Sequence, residues 1–168
     1  MNARERAAEA AGQVRDPEMP MLTLADLGVL RGVDLDADAA AVVVSITPTY
    51  TGCPAMATMR DDLVHRLNRA GFPRVEVRVV LDPPWSSDWI SERGRAALRE
   101  AGISPPGPAP RPAGGPVRLT LGPVRPAPSC PRCGAAATRP VSEFGATACR
   151  ALYTCTECLE PFEHVKEI

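Results

Sequence analysis

Apolar positions recur at two spacings along this chain, and the change from one to the other marks its elements. Met56, Met59, Leu63, Leu67 and Ala70 stand three or four residues apart, with Arg60, Asp61, Asp62, Arg66 and Arg69 mostly between them. That is one apolar stripe on a helix, predicted over residues 54–70 and ended by Gly71. A shorter helical pattern covers residues 3–14, and helical spacing returns over 88–101 through Ile90, Ala97 and Leu98. Between them, Val75 to Leu81 reads Val-Glu-Val-Arg-Val-Val-Leu, a strand with one wet face. Two more strands are predicted over 30–35 and 41–46, joined by the turn Asp36-Ala37-Asp38-Ala39. The expected fold class is α+β: a small three-stranded sheet packed with helices.

Periodicity stops after Gly102. From Ile103 to Ser129 the chain is dense in proline and glycine, which exclude a regular helix or a central strand, although Val117 to Gly122 suits a short strand. The expected organisation is a first domain over 1–103, a Pro/Gly-rich linker over 104–128 and a small zinc-ribbon domain over 129–168. A chain of 168 residues holds one real core plus a satellite that needs outside help to fold.

Composition narrows the classes. No run approaches the roughly 18 apolar residues of a membrane span, and the N-terminus is charged and alanine-rich without the apolar centre of a secretory signal. The expectation is a cytoplasmic protein without membrane contact. A net charge of −1 argues against a nucleic-acid partner, as do the mixed signs of the tail, where Arg132, Arg139 and Arg150 stand against Glu143, Glu157, Glu160, Glu163 and Glu167.

In a reducing compartment six cysteines read as metal ligands or reactive thiols rather than as disulfides. Cys130-Pro-Arg-Cys133 and Cys155-Thr-Glu-Cys158 are two Cys-x-x-Cys knuckles with 21 residues between them. Four thiolates so paired make a closed tetrahedral zinc site, hence a structural one. About forty residues hold too little apolar material to fold alone, and metal binding supplies the missing free energy. Cys149 is left over as a buried strand residue, an alternative ligand or a second reactive thiol. His65 and His164 read as surface or packing residues, with His164 the better ligand candidate because it follows the second knuckle.

The sixth cysteine, Cys53, precedes Pro54 at the predicted start of a helix, where unpaired amides and the helix dipole favour a thiolate. Gly52 lets a ligand approach the backbone, and Thr47, Thr49, Tyr50 and Thr51 place hydroxyls on the same loop. The alternative is a small buried hydrophobe. Asp16-Pro17-Glu18 reads either as a turn or as a carboxylate pair near the thiol. Asp82 with two prolines makes a rigid corner, Ser86 or Ser87 caps the next helix, and Trp85 and Trp89 suit a core or an interface.

The segments RDPEMP, LADLGVLRGV, VVVSITPTYTGCPA and VVLDPPWSSDWISERGRAAL, in that order, resemble the small α/β domain of the SufT-type iron-sulfur maturation factors. The resemblance implies that Asp16, Pro17, Glu18, Leu27, Gly28, Thr49, Thr51, Gly52 and Cys53 lie together, with Cys53 as a transient contact for iron, an iron-sulfur cluster or sulfur. With the tail CPRCGAAATRPVSEFGATACRALYTCTECLEPFEHVKEI added, the chain is similar to the PaaD family of phenylacetyl-CoA monooxygenase (1,2-epoxidase) systems. That implies a non-catalytic accessory protein of aerobic phenylacetate degradation. Its role would be assembly or maturation of an iron-sulfur or di-iron centre, and its partners the oxygenase and reductase components. Where relatives commonly end in Lys-Cys-Ile, this chain has Lys166-Glu167-Ile168, a departure that speaks against a site pairing Cys149 with the C-terminus and leaves the two-knuckle site untouched. A structural component of the oxygenase complex is the alternative. A thiol enzyme ranks low because His65 lies about three turns beyond Cys53, and neither di-iron Glu-x-x-His ligands nor a Gly-rich dinucleotide loop occur.

Overall fold

The computed structural model of the chain describes residues 2–36, 41–110 and 127–168. Most of the predicted turn at 36–39 and the predicted strand at 117–122 lie outside them. The chain divides into two compact units, Met1–Ala97 and Leu98–Ile168.

The first unit opens with helix α1 (Ala3–Gly12), held at its start by a capping box in which the Asn2 side chain accepts from the Glu5 amide and Glu5 returns the bond. Strand β1 (Leu30–Asp36) pairs antiparallel with β2 (Ala41–Ile46), and β2 pairs parallel with β3 (Val75–Val79) across helix α2 (Met56–Arg69). The order β1-β2-β3 makes β2 the central strand, which is why Val42, Val43 and Val44 are all buried. Met59, Leu63 and Leu67 of α2 are buried with them. Ala70, the last residue of the predicted stripe, is exposed because the helix ends at Arg69.

Two predicted boundaries move for tertiary reasons. Strand β3 stops at Val79 rather than Leu81, since β2 ends at Ile46 and offers no further partner after the Val80 amide bonds the Ile46 carbonyl. The helix predicted over 88–101 is broken into a 3-10 turn (Ser87–Trp89) and helix α3 (Glu92–Glu100). Asp26 is the cause. Its backbone carbonyl accepts from the Ser91 amide (2.8 Å) and its carboxylate from the Ser91 hydroxyl (3.0 Å), which holds Ser91 as an N-cap that itself accepts from Gly94. Ser86 caps the 3-10 turn through the Asp88 amide.

Both tryptophans serve packing. The Trp85 indole donates to the Leu27 carbonyl at 2.9 Å, and the Arg31 guanidinium lies 3.5 Å from the Trp89 ring centroid. Trp89 also covers Gly28 so closely that a Cβ there would lie 2.5 Å from its own. The Leu27-Gly28 step is therefore a seat for the Trp85 indole and for the backbone and Cβ of Trp89.

The second unit is a four-stranded sheet of order β4-β7-β6-β5, with β4 (Ile103–Ser104), β5 (Thr138–Ser142), β6 (Arg150–Cys155) and β7 (Pro161–Val165). Strand β4 lies parallel to β7 at the sheet edge, immediately before Pro105. Its apolar cluster is small: Cys130, Cys155 and Phe162, with Ala135 and Tyr153 against them. Ile103, Ala151 and Val165 are buried elsewhere in the same unit. Buried Arg150 pairs with Glu163 at 2.5 Å and also donates to Thr147. Among the described residues of both units, no helix is long and apolar enough to cross a membrane.

Candidate metal centre and thiol loop

The two knuckles converge. The sulfurs of Cys130, Cys133, Cys155 and Cys158 all lie within 4.8 Å of one another, with Cys130 to Cys158 at 3.7 Å and Cys133 to Cys155 at 3.6 Å. A tetrahedron with Zn–S bonds near 2.3 Å has edges of about 3.8 Å, so the donor set and its size fit such an ion. Local backbone bonds shape each half: Gly134 donates to the Cys130 carbonyl, and the Cys130 amide to Ala135. The Cys158 amide points at the Cys155 sulfur at 3.5 Å and brings that thiol down to about 7 against the opposing effect of burial. For Cys133 the Ala135 amide acts in the same direction, but the Cys158 thiol and burial outweigh it and push the thiol up to about 12. Four sulfurs this close do not all ionise alone, and a dication at their centre removes the conflict.

Cys149 and His164 stand outside this centre. Cys149 is buried, with its sulfur 3.1 Å from the Thr147 hydroxyl. His164, the better ligand candidate of the two histidines, is buried too, with Nδ1 against the Ser104 carbonyl and Nε2 against the Glu167 carboxylate, both at 3.2 Å. Glu167 also accepts from the Gly107 amide, so the pair binds the segment after β4 to the chain end. His65 is exposed on α2.

The other cysteine site lies in the first unit. Helix α2 begins at Met56 with Ala55 as its cap, so Cys53 stands two residues before the N-cap rather than at it. Its amide donates to the Tyr50 carbonyl and its carbonyl accepts from Met56, both at 3.3 Å, in a turn leading into the helix. The turn arises because Gly52 adopts φ +85°, a left-handed conformation that strains any residue with a Cβ. The helix dipole falls off beyond the first turn, so the start of α2 acts only weakly on the Cys53 sulfur. The half-exposed thiol instead lines an open cavity of about 370 Å³ with Thr51, Gly52, Met56, Arg60 and Leu81.

The other residues expected around the thiol are placed differently. Asp16 is buried, and its Oδ1 accepts from the amides of Glu18 (2.9 Å) and Met19 (2.7 Å), an Asx turn that fixes the Asp-Pro-Glu corner. Glu18 is exposed and Thr49 buried, and neither lines the cavity. Arg60, Val79 and Leu81 line it without having been expected to. Met56 and Arg60 are four apart on one helix and so share a face, a signal the sequence did carry.

Comparison with known proteins adds kinship to this geometry. Residues 4–79 match the iron-sulfur cluster assembly protein family, and residues 115–166 match the PaaD zinc beta ribbon domain. A protein of Escherichia coli (strain K12), named for 1,2-phenylacetyl-CoA epoxidase as one of its subunits, is 43% identical over 155 residues, covering 92% of this chain and 87% of its own. The chain belongs to the PaaD family. The Fe-S protein maturation auxiliary factor YitW of Bacillus subtilis (strain 168) is 34% identical over 56% of this chain and 92% of its own. A crystal structure from Bacillus anthracis of a domain of unknown function, DUF59, superposes with a TM-score of 0.51 at 29% identity, covering 56% of this chain and 90% of its own. This chain thus joins a domain that matches iron-sulfur cluster assembly proteins to a zinc-ribbon match carrying a four-cysteine cluster suited to a metal, and its kinships support an accessory role.

Proposed function

We propose that this chain is a non-catalytic accessory protein of aerobic phenylacetate degradation, assisting assembly or maturation of the iron-sulfur or di-iron centre of phenylacetyl-CoA epoxidase components. The observation that carries the reading is a half-exposed thiol, Cys53, on the wall of an open cavity in the very unit that matches iron-sulfur assembly proteins. Gly52 leaves the backbone beside it bare, with no atom other than those of its chain neighbours within 4 Å of where a Cβ would stand, which leaves room for a cargo on that side of the loop. In this role Cys53 is a transient ligand to iron or cluster in transit. Asp16 and Thr49 act by holding the loops, and Glu18 and Thr51 present exposed polar groups at the surface.

At the other unit the four cysteines hold zinc, whose chemistry there is structural: four sulfurs complete a tetrahedral shell and leave no position for a substrate. The test is co-production of the oxygenase and reductase components with either the wild-type chain or Cys53→Ala, followed by iron per purified partner. Partner iron falls with Cys53→Ala while the zinc content and fold of this chain persist. Unchanged partner iron overturns the maturation role and leaves a purely structural component.

A further inference from the structure

Among the described residues the β3 edge of the first sheet carries no further strand, and its far end forms one wall of the Cys53 cavity. In the parallel β2–β3 pair the Val42 amide donates to the Arg74 carbonyl and the Val80 amide to the Ile46 carbonyl, both at 2.9 Å, with Val42 opposite Val75 and Ile46 opposite Val79. This register turns the N–H and C=O groups of Val75, Val77 and Val79 away from β2. Among the described residues no strand pairs with that side. Side chains alternate along a strand, so these three valines share one face, and Leu81 follows just beyond the strand end. Val79 is 43% exposed and Leu81 58%, and both line the cavity beside Met56 and Arg60 of α2.

Arg60 supplies the selectivity. Arg66, Arg78 and Arg93 of the same unit each hold a partner, in Gln13, Glu76 and Asp26. Among the described residues the Arg60 side chain has neither a hydrogen bond nor an ion pair. An apolar wall, one free guanidinium and a bare strand edge together suit an extended segment that pairs as a strand and carries a carboxylate among apolar side chains.

We propose that β3 and this cavity dock such a segment of an epoxidase oxygenase or reductase component. The segment adds as a further strand, sets apolar side chains on Val79 and Leu81 and places its carboxylate on Arg60. A second copy of this chain is the poorer occupant, since its own β3 has its one carboxylate, Glu76, bound to Arg78 at 2.6 Å. The choice of partner rests on the proposed function, while the groove rests on geometry alone. Docking there lays the partner alongside the Cys53 sulfur.

The test measures the affinity of the full-length chain for the purified oxygenase and reductase components, using wild type, Val77→Pro, Arg60→Glu, Leu81→Lys and the control His65→Ala. Proline at 77 removes only an amide that points away from β2, so the sheet tolerates it, and Arg60→Glu at an exposed helix position carries the test should Val77→Pro fold poorly. Wild type binds one component. Val77→Pro, Arg60→Glu and Leu81→Lys weaken binding at least tenfold with unchanged thermal unfolding, while His65→Ala, an exposed α2 position outside the cavity lining, binds as wild type does. Because binding is read separately from partner iron, the docking surface stands even where Cys53→Ala leaves iron unchanged and the maturation role fails. Three results overturn the proposal: wild type binding neither component, Val77→Pro and Arg60→Glu both binding as wild type does, or a wild-type dimer in sedimentation that Val77→Pro dissolves.

Discussion

Leu159 follows the second cysteine knuckle in the backbone conformation that Gly134 takes after the first: φ is +64° at Leu159 and +76° at Gly134. Leucine is 73% exposed there, so its side chain gains little from packing. A left-handed non-glycine residue costs roughly 1–2 kcal/mol, and the unfolded-state freedom of glycine returns about 0.5–1 kcal/mol of that. Leu159→Gly therefore stabilises the ribbon by about 0.5 kcal/mol. In a chelator competition the variant retains metal about twofold better than wild type, and equal or weaker retention shows that the strain is compensated elsewhere.

Metal removal separates the two units. Around the metal site the ribbon's apolar cluster is Cys130, Cys155 and Phe162 with two partly buried neighbours, and two of those three are themselves ligands, so this cluster does not hold the knuckles together without the ion. Chelation, or Cys130→Ser, abolishes the ribbon's amide protection from hydrogen exchange. Trp85 and Trp89, the only two tryptophans, both lie in the first unit, so their emission stays unchanged. Cys149→Ser leaves the metal content as it was, since Cys149 lies outside the cluster. Protection that survives chelation argues against a metal-dependent fold.

The ribbon also depends on one buried ion pair. Arg150 is 6% exposed at its side chain and Glu163 23%, at 2.5 Å. Removing one partner of a buried pair strands the other and typically costs about 3–5 kcal/mol. With Glu163 partly open to water, Glu163→Ala lowers ribbon stability by roughly 2–3 kcal/mol with metal still bound, as thermal unfolding of the metal-loaded protein reads out. No change in midpoint marks the pair as energetically neutral.

Acid sensitivity of the first unit turns on Asp26. Burial raises its carboxyl, but the Thr23 hydroxyl and amide, the Ser91 hydroxyl and the Arg93 guanidinium together outweigh it and hold the group below its ordinary 3.8. A carboxylate lowered on folding contributes its full stabilisation above that ordinary value and loses it as pH falls through the lower folded one. Tryptophan-monitored stability of wild type thus drops below about pH 4. Asp26→Asn is less stable at neutral pH by roughly 2 kcal/mol and loses less on acidification. Parallel pH profiles of the two proteins show that Asp26 is not the titrating group.

Legibility varied with the range of the interactions involved. The α2 stripe, the three strands and both knuckles are written in local spacing, because helix periodicity, strand alternation and Cys-x-x-Cys turns each involve residues a few positions apart. The start of α2 is less legible: Pro54 suits a first helical turn, yet Gly52 at φ +85° shapes a turn through Cys53 that delays the helix to Met56. The break at Ile90 and Ser91 is not legible at all, since its cause is Asp26, 65 residues away in sequence from Ser91.

The sequence by itself determined the α+β class, the two-knuckle metal site and the kinship of the loop around Cys53, because local pattern and residue chemistry suffice for each. Only the tertiary structure decided that Cys149 and His164 stand apart from the metal centre, that Asp16 and Thr49 are buried away from the cavity wall, and that Arg60, Val79 and Leu81 gather beside the thiol. Those outcomes depend on which chain segments meet across the sheet. The pairing of β3 with β2 and the packing of α2 bring distant residues to one wall, and no local spacing encodes that meeting.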